Sequence, residues 1–371
     1  MQNFSAKRIV IKIGSSLLVE NGALREKWLQ ELAQDVAKLV AQKIEVVIVS
    51  SGAIALGRRL WSVDRKLTLP EKQAAAAVGQ IELMGSYHDY FCKHQTNVAQ
   101  ILLSAADCNA RERYTNSQNT INTLLAKGIV PIINENDTVA VDEIKIGDND
   151  RLAARVAQMI SADLLILFSD IDGLYDKNPK IYQDAKLISE VKKITKNIEE
   201  MAGGSSSLVG TGGMITKIVA AKMAVMAGCE TIITNGLVLN PLQKLIFGEQ
   251  NYTIFRSRKI GAAPLKSRKK WLSGFLNARG EVAINKCASE AMSSKKISLL
   301  PIGITNVAGD FKIGDLVFVK DEDGNHIASG TSNYGALEAK KIIGKNSDEI
   351  KKIFGESAKT EFIHIDNLIL I

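Results

Sequence analysis

Arg8-Ile9-Val10-Ile11-Lys12-Ile13-Gly14-Ser15-Ser16 is a run of apolar, mostly β-branched residues that stops abruptly in glycine and serine. An apolar run without alternation suits a strand buried on both faces, as in a parallel sheet. Five more runs of this kind follow: Val46 to Val49, Val98 to Leu103, Ile129 to Ile133, Leu164 to Phe168 and Thr231 to Thr234. Between them lie stretches with a helical period. In Glu26 to Gln42, residues Leu29, Leu32, Ala33, Val36, Leu39 and Val40 share one helical face, and Gln73 to Phe91 and Asn149 to Ile160 read the same way. Strand and helix repeated at this spacing predict an α/β domain, a doubly wound and mainly parallel sheet sandwich.

The ends of these runs carry the polar residues: Gly14-Ser15-Ser16, Ser50-Ser51-Gly52, Asn134-Glu135-Asn136-Asp137, Ser169-Asp170 and Asn235-Gly236. Ligands of open α/β sheets bind beyond the carboxyl ends of the strands, so these clusters are expected to meet in one crevice. Each alone is also an ordinary turn composition. From Phe275 the texture changes to short β-like runs, Glu281 to Ile284, Leu316 to Val319, His326 to Ala328 and Glu361 to Ile365, with Asp321-Glu322-Asp323-Gly324-Asn325 as a hairpin signal. The division expected is a catalytic domain over 1–255, a basic linker over 256–274 and a small, mostly β domain over 275–371.

With 46% apolar and 23% charged residues the chain is neither disordered nor fibrous. Its net charge of +7 is matched by seven cations, Arg256, Arg258, Lys259, Lys266, Arg268, Lys269 and Lys270, so the rest of the chain is neutral. The four cysteines stand far apart, without a C-x-x-C, and the four histidines do not cluster with them; no structural zinc site or disulfide scaffold is expected. No signal peptide or membrane-length apolar run is read, and a cytoplasmic protein with no membrane partner is the expectation. No P-loop, G-x-G-x-x-G, protein-kinase H-R-D, G-x-S-x-G or H-E-x-x-H motif occurs.

Three features carry chemistry. Gly210-Thr211-Gly212-Gly213-Met214-Ile215-Thr216-Lys217 opens a helix running to Ala227. Glycines there let backbone N–H groups approach an anion, with Lys217 one turn inside. Lys12 stands in a run otherwise fit for burial, which is costly without a partner; on its own it reads as an edge lysine. Gly147-Asp148-Asn149-Asp150 precedes a helix, where one residue caps and two carboxylates around an amide suit a magnesium-bound phosphate and an amino-acid ammonium group. Such cations have a purpose if a phosphoryl group meets a carboxylate. A single unit-charge pair at about 4 Å repels by roughly 4 kcal/mol at an effective dielectric of about 20. Two lysines and a magnesium ion offset that, and no general base is needed when the acceptor is already an anion.

Val10 to Ser16, Ser50-Ser51-Gly52-Ala53-Ile54-Ala55, Lys72-Gln73 through Val78-Gly79-Gln80, Ile133 to Asp137, Ile146 to Asp150, Ser169-Asp170 with Gly173-Leu174-Tyr175, and Gly210 to Lys217 follow one another in an order that resembles the amino acid kinase family. The S-S-G-A-I-A, I-N-E-N-D and G-D-N-D patterns resemble those of its members that phosphorylate the side-chain carboxylate of L-glutamate, at the head of proline biosynthesis. Leu299-Leu300-Pro301, Gly309-Asp310-Phe311 and Ile327-Ala328-Ser329-Gly330 resemble PUA-domain signatures. The chain departs from these patterns at Asn178, Cys287 and Gly335.

The resemblance implies ATP and Mg²⁺ as cofactors. It implies that Lys12 and Lys217 stabilise the transferring phosphoryl group and that Asp150 organises them. By the same resemblance Ser51, Asp137 and Asn149 bind glutamate. Lys12, Ser169, Asp170, Thr211, Gly212, Gly213, Met214, Ile215, Thr216 and Lys217 hold ATP, and Asp148 and Asp150 belong to the Mg²⁺ shell, directly or through water. The partners implied are proline as feedback inhibitor, further copies of the chain in a homo-oligomer, and a downstream reductase that takes the acyl phosphate. Two other readings fit part of the sequence. Another kinase of the family would act on aspartate, acetylglutamate or a nucleotide, and an RNA-binding protein would use the basic stretch with Trp271 beside Lys269 and Lys270.

Overall fold

A computed structural model describes residues 6–61, 65–139, 149–179, 181–203, 213–257, 278–294, 297–356 and 358–370. Two compact units divide the chain, Met1–Lys259 and Ile260–Ile371. The first begins with β1 (Arg8–Ile13), α1 (Ser15–Leu18), the hairpin β2 (Val19–Glu20) and β3 (Ala23–Leu24), α2 (Glu26–Ala41), β4 (Glu45–Ser50), α3 (Ala53–Arg58) and α4 (Leu69–Cys92). It continues through β5 (Val98–Leu103), α5 (Ala105–Asn109), α6 (Arg111–Ala126), β6 (Val130–Glu135), α7 (Asn149–Met159) and β7 (Leu164–Ser169). Then come β8 (Leu174–Tyr175), β9 (Leu187–Ile188), β10 (Glu190–Val191), α8 (Lys196–Met201), α9 (Met214–Met226), β11 (Glu230–Asn235), α10 (Pro241–Phe247) and β12 (Tyr252–Phe255).

Eight strands form one sheet in the order β10-β12-β11-β7-β1-β4-β6-β5. From β11 to β5 every neighbouring pair is parallel, and β12 joins antiparallel to β11. The carboxyl ends of β11, β7, β1, β4 and β6 therefore line one edge, as their polar terminal residues require. Alternation sorts the two faces. Ile9, Ile11 and Ile13 pack with Trp28, Leu29 and Leu32 of α2 and with Leu83 and Tyr87 of α4. Val10 and Lys12 turn to the opposite face, where α7 lies on β1 and β7, α9 on β11, and α7 on α9. This side of the sheet determines what Lys12 can meet.

The buried-strand reading fits β1, β4, β6 and β7. It does not fit β5, which forms the sheet's edge and is only partly buried. Helices α3 and α4 pack at very short range. A Cβ on Gly57 would lie 1.9 Å from the Ala75 carbonyl oxygen, and one on Gly79 would lie 1.9 Å from that of Ala53. Only glycines permit the two backbones to touch in this way. Arg256, the first cation of the basic stretch, donates to Glu190 (2.7 Å) and lies 3.3 Å from Glu230. The other six cations and Trp271 lie outside the described residues.

The second unit is a five-stranded sheet in the order β14-β13-β15-β16-β17, comprising β13 (Gly280–Ile284), β14 (Ile304–Gly309), β15 (Leu316–Lys320), β16 (His326–Thr331) and β17 (Leu368–Leu370). It has its own core, built on Val282, Phe311, Val317, Val319, Ile342 and Phe362. The hairpin signal at Asp321–Asn325 does join two antiparallel strands, β15 and β16. The strand expected at Glu361 to Ile365 is absent. Ile363 makes an isolated bridge to Leu299, residues Ile365–Asn367 form a 3₁₀ turn, and the strand lies beyond it at β17. Phe362 and Ile363 are both fully buried, so this segment does not alternate between faces. Helices Lys286–Ser294, Ala336–Ile342 and Ser347–Phe354 flank the sheet.

Candidate active site

Lys12 sits in the middle of the sheet and is 5% exposed. Its ammonium lies 2.6 Å from Asp150 Oδ1. Asp150 is the second residue of α7 and has no exposure at all. Lys217, in the first turn of α9 and 4% exposed, lies 3.2 Å from the other oxygen, Oδ2. Thr216 Oγ1 stands 3.1 Å from Oδ2 as well. Three segments remote in sequence thus place two ammonium groups on one carboxylate. Burial pushes the Asp150 carboxyl up, but the pull of Lys12 and Lys217 exceeds it and holds the group below the usual carboxylate range. The trio carries one net positive charge in a nearly water-free setting, which suits it to bind an anion.

Beside it opens a cavity of about 370 Å³, lined among others by Ser169, Asp170, Tyr175, Asn178, Gly213 and Lys217. Met214 also lines it. Ser169 is buried at the end of β7 and donates to Asp170 Oδ1 at 3.2 Å. Gly213 precedes α9 without a side-chain cap, and Ile215 and Thr216 lie in that helix's first turn. Tyr175 Oη donates to Asp172 (2.9 Å), whose other oxygen accepts from Asn251 (3.2 Å), so the cavity wall is held from two sides. Thr211 and Gly212 lie outside the described residues.

Directly before Asp150, Asn149 Nδ2 donates into a fan of acceptors: Ser51 Oγ at 2.7 Å, the Ser50 carbonyl at 2.9 Å and Asn134 Oδ1 at 3.0 Å. Asn134 Oδ1 also accepts from the Glu135 N–H at 2.9 Å, and Asn134 Nδ2 donates to Gln80 Oε1 at 2.9 Å. The Ser50 carbonyl can only accept and the Glu135 N–H can only donate, so the amide orientations of Asn149 and Asn134 are not arbitrary. The structure therefore joins Ser51 and Asn149 directly. Asp137 lies just past β6 and lines a separate hollow of about 200 Å³ with Gln80, Gln100 and Thr138. Asn134 stands in a polar cluster expected at the crevice and Gln80 in a family-like stretch, but neither is among the residues expected to bind a ligand. A buried carboxamide at a strand end was the available signal.

Asp148 lies outside the described residues. Among the described ones, no group of three or more His, Cys, Asp or Glu side chains is placed to hold a metal ion. Both oxygens of Asp150 already face ammonium groups. No helix among the described residues is long and apolar enough to cross a membrane.

A parallel sheet with a lysine pair at its carboxyl edge and a glycine-led helix over it is the arrangement of a phosphoryl-transfer enzyme. Residues 7–235 match the amino acid kinase family and 280–354 the PUA domain; the chain belongs to the amino acid kinase family. Its curated relatives include the glutamate 5-kinase of Paramagnetospirillum magneticum, 46% identical over 99% of this chain and 98% of that one. The glutamate 5-kinase of Brucella abortus is 48% identical over 98% of this chain and 96% of its own length. Among solved structures, the UMP kinase of Ureaplasma parvum covers 68% of this chain and 100% of itself at 18% identity and a TM-score of 0.47.

Proposed function

We propose that the chain transfers the γ-phosphoryl group of ATP to the side-chain carboxylate of L-glutamate, giving glutamate 5-phosphate and ADP. A carboxylate oxygen forms the new P–O bond as the bond to the β-phosphate oxygen breaks, and the electron pair leaves with ADP. The observation that carries this reading is the pair of buried lysines on Asp150. They offer positive charge from two directions where negative charge is greatest, and Asp150 keeps them apart and aligned before substrate arrives. No proton has to be removed from the acceptor. Asp148 and Asp150, directly or through water, would hold a Mg²⁺ ion with the phosphates of ATP, and the ion would supply neutralisation of part of their charge.

Ser169, Asp170, Gly213, Met214, Ile215, Thr216 and Lys217 border the nucleotide side of this arrangement. Ser51, Asn149 and Asp137 serve the amino-acid side, with Asn149 turned by its acceptors so that its carboxamide faces the acceptor in one orientation. Proline would compete at or near this side, the active form would be a homo-oligomer, and a reductase would consume the labile product. The test is a hydroxylamine-trapping assay of acyl phosphate with ATP and glutamate, repeated with aspartate, acetylglutamate and UMP, and then with proline. Preferred turnover of glutamate is expected. Faster turnover of another acceptor overturns the assignment.

A further inference from the structure

Asn149 is held by Ser50 and Ser51, and what holds the serines comes from α4. Tyr87 is fully buried, and its hydroxyl lies 3.0 Å from Ser50 Oγ, also fully buried. Ser50 Oγ donates onward to the Ser51 carbonyl at 3.1 Å. Gln80 lies seven residues before Tyr87 on the same helix, two turns away and so on the same face, and it receives Asn134. One helix face therefore meets both strand ends that supply the acceptors of Asn149. The glycine contact of α4 on α3, at Gly57 and Gly79, fixes the distance from which this face acts, and α3 itself starts directly after Ser51-Gly52.

The hydroxyl of Tyr87 is more than packing. Its ring already fills the core beside Leu83 and Phe91, and a phenylalanine would fill the same space. A hydroxyl in an apolar core costs free energy unless it is bonded, and Ser50 supplies the bond. What the bond does is fix the rotamer of a serine whose own carbonyl and whose neighbour's hydroxyl accept from Asn149. We propose that Tyr87 is a positioning residue for the acceptor amino acid, acting through Ser50 on the carboxamide of Asn149. This rests on the reading of Asn149 as part of the glutamate pocket.

The test is steady-state kinetics and thermal unfolding of the full-length Tyr87→Phe, Ser50→Ala and double variants, with Asn149→Ala measured alongside. Tyr87→Phe is expected to raise the glutamate KM about fivefold, the effect of one net hydrogen bond, while kcat and the ATP KM stay unchanged. Ser50→Ala is expected to do the same, and the double variant to add nothing further, because both break one path. If Tyr87→Phe lowers the unfolding temperature but leaves the glutamate KM alone, the hydroxyl serves only the fold and the proposal is wrong. Multiplying effects in the double variant also overturn it. If Asn149→Ala spares the glutamate KM, the reading of the acceptor pocket is the one that fails. An Asn149-sensitive KM that ignores Tyr87 and Ser50 sinks the positioning role alone.

Discussion

Lys12 Nζ stands 2.6 Å from Asp150 Oδ1, and neither side chain is more than 6% exposed. With Lys217 on the second oxygen, one carboxylate faces two buried ammonium groups. Asp150→Asn leaves both in place and removes their shared counter-charge. Breaking a buried pair by deleting one partner costs about 3–5 kcal/mol. Urea denaturation of the variant should show a loss of that order, and its kcat should fall at least about a hundredfold, since the lysines lose their alignment. A variant with wild-type stability contradicts the account of this trio.

The pH dependence of the same contact has a definite sign. Asp150 is held below its ordinary value by the lysines, so its contribution is fully present above the unfolded carboxyl value near 3.8 and is lost as the pH falls through the lower folded one. The stability gap between wild type and Asp150→Asn should therefore be constant from neutral pH to about 5 and close below about 4. Asp35 gives the opposite case. Burial raises its carboxyl above the usual range despite the Gln243 N–H and Lys38. Its folded value exceeds the unfolded one, so it costs stability once the pH has risen past both. Asp35→Asn should raise the unfolding temperature at pH 7, with a smaller gain near pH 4.

Lys217→Ala and Asp137→Ala should separate the two halves of the site. The lysine's contact strengthens as charge develops during transfer, so its loss should depress kcat by more than about a hundredfold with little change in the glutamate KM. Asp137→Ala should mainly raise the glutamate KM. Near-normal kinetics in both variants would reject these assignments.

Gly57→Ala and Gly79→Ala each place a methyl group where a carbonyl oxygen already stands, 1.9 Å away. Overpacking of this kind costs about 1–3 kcal/mol. Both variants should unfold at lower temperature by calorimetry. Because the displaced helix carries Gln80 and Tyr87, their glutamate KM should rise as well, while Gly85→Ala on an open part of the same helix should leave KM unchanged.

The central strands were legible because burial on both faces demands apolar residues at every position, as in Leu164–Ser169. Helix α6 was not legible. Its sequence is polar nearly throughout, and only Tyr114, Ile121 and Leu125 are buried, too few to mark a stripe. Helix Ser347–Phe354 carries a readable signal, the reciprocal cap between Asn346 and Glu349, although its surroundings read as β-like. The lysines and Asp150 stood out as charges in apolar or helix-opening settings. The amide chain did not, because Gln80 and Asn134 acquire meaning only from each other, across a helix and a strand end. The Tyr87 hydroxyl is hidden for the same reason: in sequence it is one more large residue on a buried helix face.

The lysine placed near the carboxyl end of β1 has a consequence for biosynthesis. Its counter-ion is carried by α7, and the second claimant on that counter-ion by α9. A nascent chain emerging from the ribosome, which folds its domains as units, cannot settle this strand beneath its helices at low cost until Asp150 has been translated. The contact thus ties the first strand to a residue far along the chain, and a polypeptide released before it would keep an unquenched charge in that strand.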